Sequence, residues 1–454
     1  MPHSPPSTDS IAARQVAFAI LQAVQGGAYA DVALHRGLAR SHLSAQDRGF
    51  VTELVYGTVR QQRTLDALID ALGSRPAAKQ PPKLQLLLRL GLYQLRYLQG
   101  VPSSAAVNTT VELAKVNRLG RLSGVVNGLL RQYIRCQDAG TDLLPHPDNS
   151  VTALGIRHSF PDWIVELWVQ QVGLTEAEQL CQWFNQPPTI DLRVNRHQTS
   201  VTTVQDAFAA VGIDVEPLPG LPYGLRLPSH VGAVSQLPSY AQGWWSVQDA
   251  SAQLVGQLLN PQPGERVLDV CAAPGGKATQ LAELMGDVGT VWACDRTPSR
   301  LKKVVANAQR LNLSSVHIHT GDSRHLSQLH GQADRVLVDA PCSGLGTLHR
   351  HADARWRQSP EAVQDLAQLQ KELLTEAARC VKPNGMLVYA TCTLHPAENE
   401  AVVTAFLESH SDWSVVPVTA PWANGLDMAA QGWIRVWPHR HQMDGFFMVQ
   451  LKQP

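Results

Sequence analysis

From Trp244 onward, short apolar segments alternate with helical patterns, and this alternation constrains the fold of the 454-residue chain more than any other feature. Strands that alternate with helices are typical of a doubly wound parallel sheet, because each connecting helix packs against one face of the sheet. A last strand is expected at Phe446–Leu451, paired with residues 413–418 as an antiparallel edge. We therefore predict an α/β, Rossmann-like domain over residues 244–454. Its predicted parallel strands are 266–270, 291–294, 316–319, 335–338 and 386–390, and the helices between them are 278–285, 299–311 and 360–380.

The N-terminal third has helical periodicity and lacks strand signals. Ser44 to Asp47 resembles a capping box that opens a helix reaching about Gln61, and Pro82 stands where a first-turn proline belongs. Residues 1–140 are therefore predicted to form an all-α domain, followed by a linker rich in Asp, Pro and Gly. Residues 150–243 mix helical patterns with a strand-like segment at 190–194, which predicts a small α+β module.

The composition is that of a soluble globular protein, with 44% hydrophobic and 17% charged residues. No apolar run approaches the roughly 18 residues that a membrane span requires. The stretch Met1–Ser10 is polar and has no signal-peptide core, so we expect a cytoplasmic protein. The seven cysteines are scattered without C-x-x-C spacing, which argues against a metal site or a disulfide framework.

Charge is unevenly distributed although the chain has a formal net charge of zero. Residues 1–140 contain 16 Lys and Arg against 8 Asp and Glu, whereas the rest of the chain is acidic. Such asymmetry suggests nucleic-acid contact by the basic part. On charge alone, a solvated helical surface explains it equally well.

A glycine-containing loop, Asp269–Lys277, follows the first predicted strand of the α/β domain. Gly275 and Gly276 allow a tight turn and a close approach of the backbone to a ligand. The loop has neither the G-x-G-x-x-G spacing nor the P-loop pattern, which favours a nucleoside cofactor without phosphates, such as S-adenosylmethionine. An ordinary strand-to-helix turn is the alternative.

Aspartates end the next two strands. Asp295 stands about 20 residues beyond the loop, where ribose hydroxyls are usually bound, and Asp322 would lie within reach of an adenine amino group. Each of them could instead cap the following helix. Together with Asp269 they make three acids at successive strand ends, which favours a binding role.

Two cysteines also follow predicted strands, Cys342 in Asp339-Ala340-Pro341-Cys342 and Cys392 in Ala390-Thr391-Cys392. A thiolate that adds to C6 of cytosine gives C5 carbanion character, so C5 can accept a methyl group, and a second thiol could assist release. Asp339 could bond the N3/N4 edge of the base. The alternative, a small buried hydrophobe, is preferred for Cys271, Cys294 and Cys380 but not for these two. Spacing does not distinguish their roles.

These motifs resemble the signatures of RNA cytosine-C5 methyltransferases of the NOL/NOP/Sun group. The resemblance extends to Pro396 with Glu398-Asn399-Glu400, and to Gln248–Ser251 and Asp444–Phe447 near the ends of the domain. It implies a class I methyltransferase fold in which Cys392 attacks C6 and Cys342 assists product release. It also implies S-adenosylmethionine bound by Cys271, Ala272, Ala273, Pro274, Gly275, Gly276, Lys277, Asp295, Asp322 and Asp339, with no metal.

Residues 11–135, notably Asp47–Gly57 and Arg89–Tyr97, resemble the NusB-like RNA-binding domain. Joined to the catalytic domain, this is the arrangement of the Sun/Fmu type of bacterial small-subunit rRNA methyltransferase, which implies methylation of 16S rRNA at a cytosine of the position-967 type. Arg193-Val194-Asn195 resembles an element near the RNA path, although an ordinary strand is equally consistent.

Two basic clusters past Cys342, His349–His351 and Arg355–Arg357, would either hold phosphates and stack a base or form a solvated loop. The predicted function is thus 16S rRNA cytosine-C5 methylation by a monomer that binds RNA and neither DNA nor membrane. The alternatives are the same chemistry on tRNA or another rRNA site, or a non-catalytic RNA-binding assembly or antitermination factor.

Overall fold

The computed structural model describes residues 8–228 and 231–453, and its contacts divide the chain into two units. The first unit is Met1–Gln186 with Leu348–Arg357, and the second is Pro187–Thr347 with Gln358–Pro454. Most of the polar stretch Met1–Ser10 lies outside the described residues. No helix among residues 8–228 and 231–453 is long and apolar enough to cross a membrane.

Helices make up the first unit. Ser44 caps α3 by accepting a hydrogen bond from the Asp47 backbone N–H, and Pro82 is the first residue of α5, both as predicted. Their apolar faces meet in one core, in which Leu54, Leu87 and Leu90 are fully buried. The sequence patterns did not reveal α2 and α4. The helices are α1 (Thr8–Gln25), α2 (Ala30–Ala39), α3 (Ala45–Arg60), α4 (Gln62–Leu72), α5 (Pro82–Tyr97), α6 (Ser103–Val116), α7 (Ser123–Asp138), α8 (Ser150–His158) and α9 (Asp162–Asn185, kinked at Gly173).

A small antiparallel sheet opens the second unit. Its strand order is β2-β3-β1-β4, and the helix α10 (Val201–Ala209) packs its buried Val204 and Phe208 against it. The predicted boundary at residue 243 separates β4 from this sheet, whereas the structure pairs Val194 of β1 with Trp245 of β4. The strands are β1 (Ile190–Val194), β2 (Glu216–Pro217), β3 (Gly224–Leu227) and β4 (Trp245–Val247).

The large sheet has the predicted character, parallel in its middle and antiparallel at one edge. Its strand order is β11-β12-β13-β9-β8-β5-β6-β7, with β10 also paired to β13. The pairs among β5 to β9 are parallel, and all those of β13 are antiparallel. The strands are β5 (Arg266–Asp269), β6 (Thr290–Asp295), β7 (Val316–Thr320), β8 (Ala333–Asp339), β9 (Val381–Thr391), β10 (Ser414–Val415), β11 (Asp427–Met428), β12 (Ile434–Val436) and β13 (Phe446–Lys452).

Helices cover both faces of this sheet, as alternating strands and helices require. They are α11 (Ala250–Leu259), α12 (Gly276–Leu284), α13 (Pro298–Arg310), α14 (Pro360–Cys380), α15 (Glu400–Ser409) and α16 (Pro438–His441). Strand order reverses at β5, because the chain proceeds from β5 to β6 and β7 and then returns to β8 on the other side. Ligands of open α/β sheets bind outside the carboxyl ends of the strands at such a switch point. The loop that follows Asp269 stands there.

Candidate active site

The loop after β5 turns sharply into α12. Gly275 has φ +109° and a Cβ there would lie 3.0 Å from Cα of Val304, so both the backbone conformation and the space favour glycine. Arg300 donates to the Ala273 carbonyl at 2.6 Å, which fixes the outer side of the turn. The loop is therefore held in a single shape from both sides.

Arg193 holds the start of α12 from the small sheet. Its guanidinium is almost fully buried, donates to both oxygens of Glu283 at 2.8 Å, and donates to the Gly276 carbonyl at 2.8 Å. Asn195 is fully buried and bonds the carbonyls of Gly243 and Leu311. The segment Arg193-Val194-Asn195 is the end of a buried strand and supports the glycine loop. Its place near the RNA path stays a prediction.

A cavity of about 350 Å³ opens at the carboxyl ends of β5, β6 and β8. It brings together Cys271, Ala273, Lys277, Asp295, Asp322, Asp339, Cys342 and Cys392 from the predicted site. Ala272, Pro274, Gly275 and Gly276 shape the loop but are not among the lining residues. The opposite wall is apolar and comes from α14, with Leu366, Leu369 and Leu373, and Phe446 closes one side.

Arginines accompany two of the cavity's carboxylates. Asp295 is nearly buried, with Oδ2 3.0 Å from Arg300, and its Oδ1 accepts the Thr297 N–H at 2.7 Å. Oδ1 of Asp322 accepts from Nε of Arg324, and its Oδ2 accepts from Nη2 of the same guanidinium. These hydrogen bonds lower the pKa of Asp322 to about 2. Asp322 is therefore anionic at neutral pH, and both carboxylates line the cavity where polar groups of a nucleoside can reach them.

Lys277 reaches from α12 to the end of β8. Its Nζ donates to Oδ2 of Asp339 at 2.8 Å and lies 5.1 Å from the ring centroid of Phe446. Burial alone would lower the pKa of Lys277, but the neighbouring Asp339 carboxylate raises it overall, so the ammonium persists. Asp269 lies nearby and is buried, and its Oδ2 has no hydrogen-bond partner in the described structure. Burial and the charge of Asp339 raise the pKa of Asp269 to about 7.

The two predicted thiols meet. Sγ of Cys342 and Sγ of Cys392 are 3.3 Å apart, and both side chains are half-buried. The hydrogen bond with Cys392, together with burial, raises the pKa of Cys342 well above its usual value. Cys342 therefore remains protonated near neutral pH. Cys294 and Cys380 are buried in the core and Cys271 is partly buried, and burial raises the pKa of all three thiols.

Backbone contacts tie the loops around the thiols together. The Gly346 N–H donates to the Cys392 carbonyl at 3.0 Å, and the Gly445 N–H donates to the Gly346 carbonyl at 2.8 Å. A Cβ on Gly346 would lie 2.0 Å from the Gly445 oxygen, so only glycine allows this approach. The exit motif Asp444–Phe447 thus brings Phe446 to the cavity next to both cysteine loops.

Part of the second basic cluster beyond Cys342 is packed inside the first unit. Arg355 is fully buried within the first unit and donates to the Ser159 carbonyl and to Oδ1 of Asn185. Its guanidinium also lies over the Phe160 ring. Trp356 Nε1 donates to the Val59 carbonyl, and Arg357 donates to the carbonyl of Gly27. Arg355 and Trp356 are thus packed within the helical unit and are not part of a solvated loop, whereas phosphate contact by the exposed His351 and Arg357 stays a prediction.

Several cavity residues escaped the sequence analysis. Arg300 and Arg324 follow the strand-end aspartates by five and two positions, and an arginine that close in sequence to a strand-end acid is the signal that could have identified them. The leucines of α14 were recognised only as part of a helical pattern. Such a pattern indicates that they are buried but not that they line a cavity. Glu398, in the turn Pro396–Glu398, is fully buried beside the thiol loops and had been quoted without a role.

Comparison with known families gives three matches along the chain. Residues 256–452 match the 16S rRNA methyltransferase RsmB/F family, and residues 11–135 match the NusB family. Residues 160–233 match the ferredoxin-like domain of RsmF/B-like methyltransferases. The matches follow one another in the order of the helical region, the small sheet and the large sheet.

Relatives are similar over nearly the whole chain. A probable ribosomal RNA small subunit methyltransferase B of Synechocystis is 51% identical over 98% of this chain and 100% of its own. The protein of the same name from Bacillus subtilis is 35% identical, over 96% of this chain and 97% of its own. The crystal structure of PH0851 is similar at a TM-score of 0.81 and 27% identity, covering 100% of both chains.

Proposed function

The chain belongs to the 16S rRNA methyltransferase RsmB/F family, and from that membership we propose that it methylates C5 of a cytosine in 16S rRNA through a covalent bond between Cys392 and C6. The coarser activity, S-adenosylmethionine-dependent rRNA methylation, follows from the family. The finer proposal depends on one observation. Two thiols lie 3.3 Å apart on the wall of the cavity that also contains the strand-end carboxylates.

The cavity residues fit the cofactor. Asp295 presents a carboxylate for ribose hydroxyls, Asp322 presents one for an adenine amino group, and the α14 leucines offer an apolar surface to a purine ring. The loop from Cys271 to Lys277 would hold the remainder of the molecule without a phosphate cradle. When bound, S-adenosylmethionine supplies an electrophilic methyl group to the cavity.

The thiols have unequal chemistry in this proposal. Because burial and the contact with Cys392 raise the pKa of Cys342, the Cys342 thiol is suited to donate a hydrogen bond toward Cys392, and we assign the attack to Cys392. The Cys392 thiolate adds to C6 and breaks the 5,6 double bond, so C5 becomes nucleophilic and gains the methyl group. Loss of the C5 proton and breaking of the S–C6 bond then restore the ring. Cys342, within hydrogen-bond distance of the departing sulfur, assists this last step.

Asp339 and Lys277 act on the edge of the base. A carboxylate at this position accepts from N4–H and stabilises a proton on N3, which offsets the negative charge that nucleophilic addition puts into the ring. The ammonium of Lys277 donates to Oδ2 of Asp339 at 2.8 Å and so orients this carboxylate. For the base to reach these groups it has to leave its stack and enter the cavity.

RNA binding is assigned mainly to the basic N-terminal region. Residues 1–140 contain a twofold excess of basic over acidic residues, and residues 11–135 match the NusB family. Phosphate contacts by Lys and Arg give affinity that falls with salt concentration, and the cavity then selects the base. We propose residues 1–140 as the RNA-binding domain of the enzyme.

Methyl transfer from labelled S-adenosylmethionine to 16S rRNA, with a tRNA transcript in parallel, tests the proposal. We expect 5-methylcytosine in 16S rRNA, at a position of the 967 type when mapped, and little label in tRNA. Label in tRNA alone, or on another base or atom, would contradict the proposed substrate. Failure to bind S-adenosylmethionine would favour a non-catalytic RNA-binding factor.

A further inference from the structure

A buried carboxyl beside the thiols has no part in the chemistry described above. Glu398 is fully buried in the short turn Pro396–Glu398, and its carboxyl faces Ser343 and Gln370. Burial raises the pKa of Glu398, and hydrogen bonds from Ser343 only partly offset that shift. Keeping an ionisable group there costs stability unless it holds something in place.

What Glu398 holds is the loop of Cys342. Its Oε1 accepts the Ser343 N–H at 2.8 Å and Nε2 of Gln370 at 3.0 Å, and its Oε2 accepts the Ser343 hydroxyl. Nε2 of Gln370 also donates to the Pro341 carbonyl at 2.9 Å. The residues on both sides of Cys342 are therefore fixed through this one carboxyl.

The neighbouring residue holds the other thiol loop. Asn399 is almost fully buried, its Nδ2 donates to the Thr393 carbonyl at 3.0 Å, and its Oδ1 accepts the Thr391 hydroxyl at 2.5 Å. The residues on both sides of Cys392 are therefore fixed through one amide. The two anchors meet where the Ser343 and Thr393 hydroxyls lie 2.8 Å apart.

From these contacts we infer that Glu398 and Asn399 are positioning residues, each of which orients one of the two thiols. Glu398 orients Cys342 for product release, and Asn399 orients Cys392 for attack. The assignment of steps rests on the proposed covalent function, whereas the positioning itself concerns only the geometry of the thiols. Misplacing a reacting group by about 1 Å can cost on the order of 100-fold in rate.

A carboxylate is suited to its position because both of its oxygens accept. The variant E398Q keeps the shape but replaces the acceptor Oε2 by an NH₂ group, so the Ser343 hydroxyl has to turn from donor to acceptor and to give its own proton to Thr393. The variant N399D keeps an acceptor for Thr391 but places an oxygen against the Thr393 carbonyl. Each change weakens one anchor and leaves the other intact.

Thiol cross-linking tests the positioning without RNA or cofactor. The oxidant diamide takes up two hydrogens as the thiols join, and the Cys342–Cys392 disulfide is followed by peptide mass spectrometry. We expect rapid cross-linking in the wild type and roughly tenfold slower cross-linking in E398Q and N399D, since the sulfurs have to approach within bonding distance. The control E376Q alters another buried carboxylate, which bonds the Leu326 N–H and His330, and should cross-link like the wild type.

Covalent trapping tests the division of steps. In the full enzyme with 16S rRNA and S-adenosylmethionine, E398Q should accumulate protein–RNA adduct because release slows about tenfold, and it should add no further effect in a C342A background. N399D should instead form adduct about tenfold more slowly, in the C342A background as well.

Each failure has a distinct signature. Wild-type cross-linking rates in folded E398Q, or no cross-linking in the wild type itself, would overturn the positioning whatever the RNA chemistry. Identical effects of E398Q and N399D on adduct formation would overturn the division between the two residues. Absence of adduct in C342A, with the cross-linking results as expected, would refute the proposed function and leave the positioning intact.

Discussion

Cys342 on the wall of the cavity and the start of the segment Leu348–Arg357 lie within ten residues of each other in the chain, yet the charged side chains of the two regions have opposite roles. In the cavity, carboxylates such as Asp322 and Asp339 are paired but remain on a wall that a ligand can reach. In the segment, Arg355 is fully buried and its donors are directed to carbonyl and amide oxygens of the same unit. Charge density alone therefore does not identify a functional surface; the partners of each charge do.

The two regions should also differ in how they affect stability. The cavity side carries a cost, because buried Asp269 is an acid with an oxygen that lacks a partner. In the segment, Nε of Arg355 also lacks a partner, but the other two nitrogens of the guanidinium donate to Ser159, Asn185, Phe184 and Leu348 and contribute stability. Changes near the cavity should therefore alter chemistry while preserving or raising stability. Changes in the segment should lower stability while preserving chemistry in the folded enzyme.

Replacing Asp269 by Asn should have the largest effect on stability. Burial raises the pKa of Asp269 from 3.8 to about 7, so the folded chain retains a proton that the unfolded chain has lost. Stability should then fall as pH rises from about 4 to 7 and level off above 7, by up to roughly 4 kcal/mol. Denaturant unfolding of D269N without ligand should lack this slope and show higher stability than wild type at pH 8. Equal pH dependence in both proteins would contradict the buried-acid account.

Replacing Asp339 by Asn should lower turnover by about 100- to 1,000-fold, because the base edge loses a carboxylate that offsets charge in the transition state. Its unfolding midpoint should stay near that of wild type. D353N is the counterpart in the segment, where Asp353 accepts from Arg357 Nε at 2.8 Å and from the Ala30 N–H at 3.1 Å. It should lower the midpoint and spare turnover below it. A lowered midpoint with normal turnover in D339N, together with lost turnover at a normal midpoint in D353N, would refute the contrast between the regions.

Truncating Arg355 should destabilise the protein by roughly 3 kcal/mol, since R355A leaves a cavity and buried oxygens without donors. R357A should cost only about 1 kcal/mol, because Arg357 is partly exposed and its hydrogen bond to the Gly27 carbonyl can be replaced by water. Thermal unfolding measures both, with methyl transfer assayed well below the midpoint as the control. A loss of RNA affinity in folded R355A, with unchanged stability, would restore the segment as an RNA contact.

The sequence predicted those features that depend on local pattern. Alternating apolar segments and helices identified β5 to β9, and the acids and thiols at strand ends followed because parallel strands share one carboxyl edge. Ser44 and Pro82 correctly predicted where two helices begin, because a cap or a first-turn proline acts within a single helical turn. The meeting of Cys342 and Cys392 was implied by adjacent strands, although their roles came from the resemblance.

The features that sequence analysis missed depend on contacts between distant positions. Nothing around Arg355 indicates that its partners are Ser159 and Asn185, and without them the segment resembled a basic loop. The helices α2 and α4 were missed because neither begins with a side-chain cap, although the buried Leu65, Leu68 and Leu72 give α4 a clear amphipathic pattern. Glu398 appeared as an ordinary charged residue, because its burial depends on Ser343 and Gln370.

The central claim is that Cys392 attacks and Cys342 releases. Its most direct test is to incubate the wild type, C342A and C392A with 16S rRNA and S-adenosylmethionine and to measure the protein–RNA adduct by denaturing electrophoresis. We expect C342A to accumulate an adduct that resists denaturation, and C392A to form none and transfer no methyl group. An adduct in C392A, or its absence in C342A when RNA and cofactor still bind, would contradict the claim.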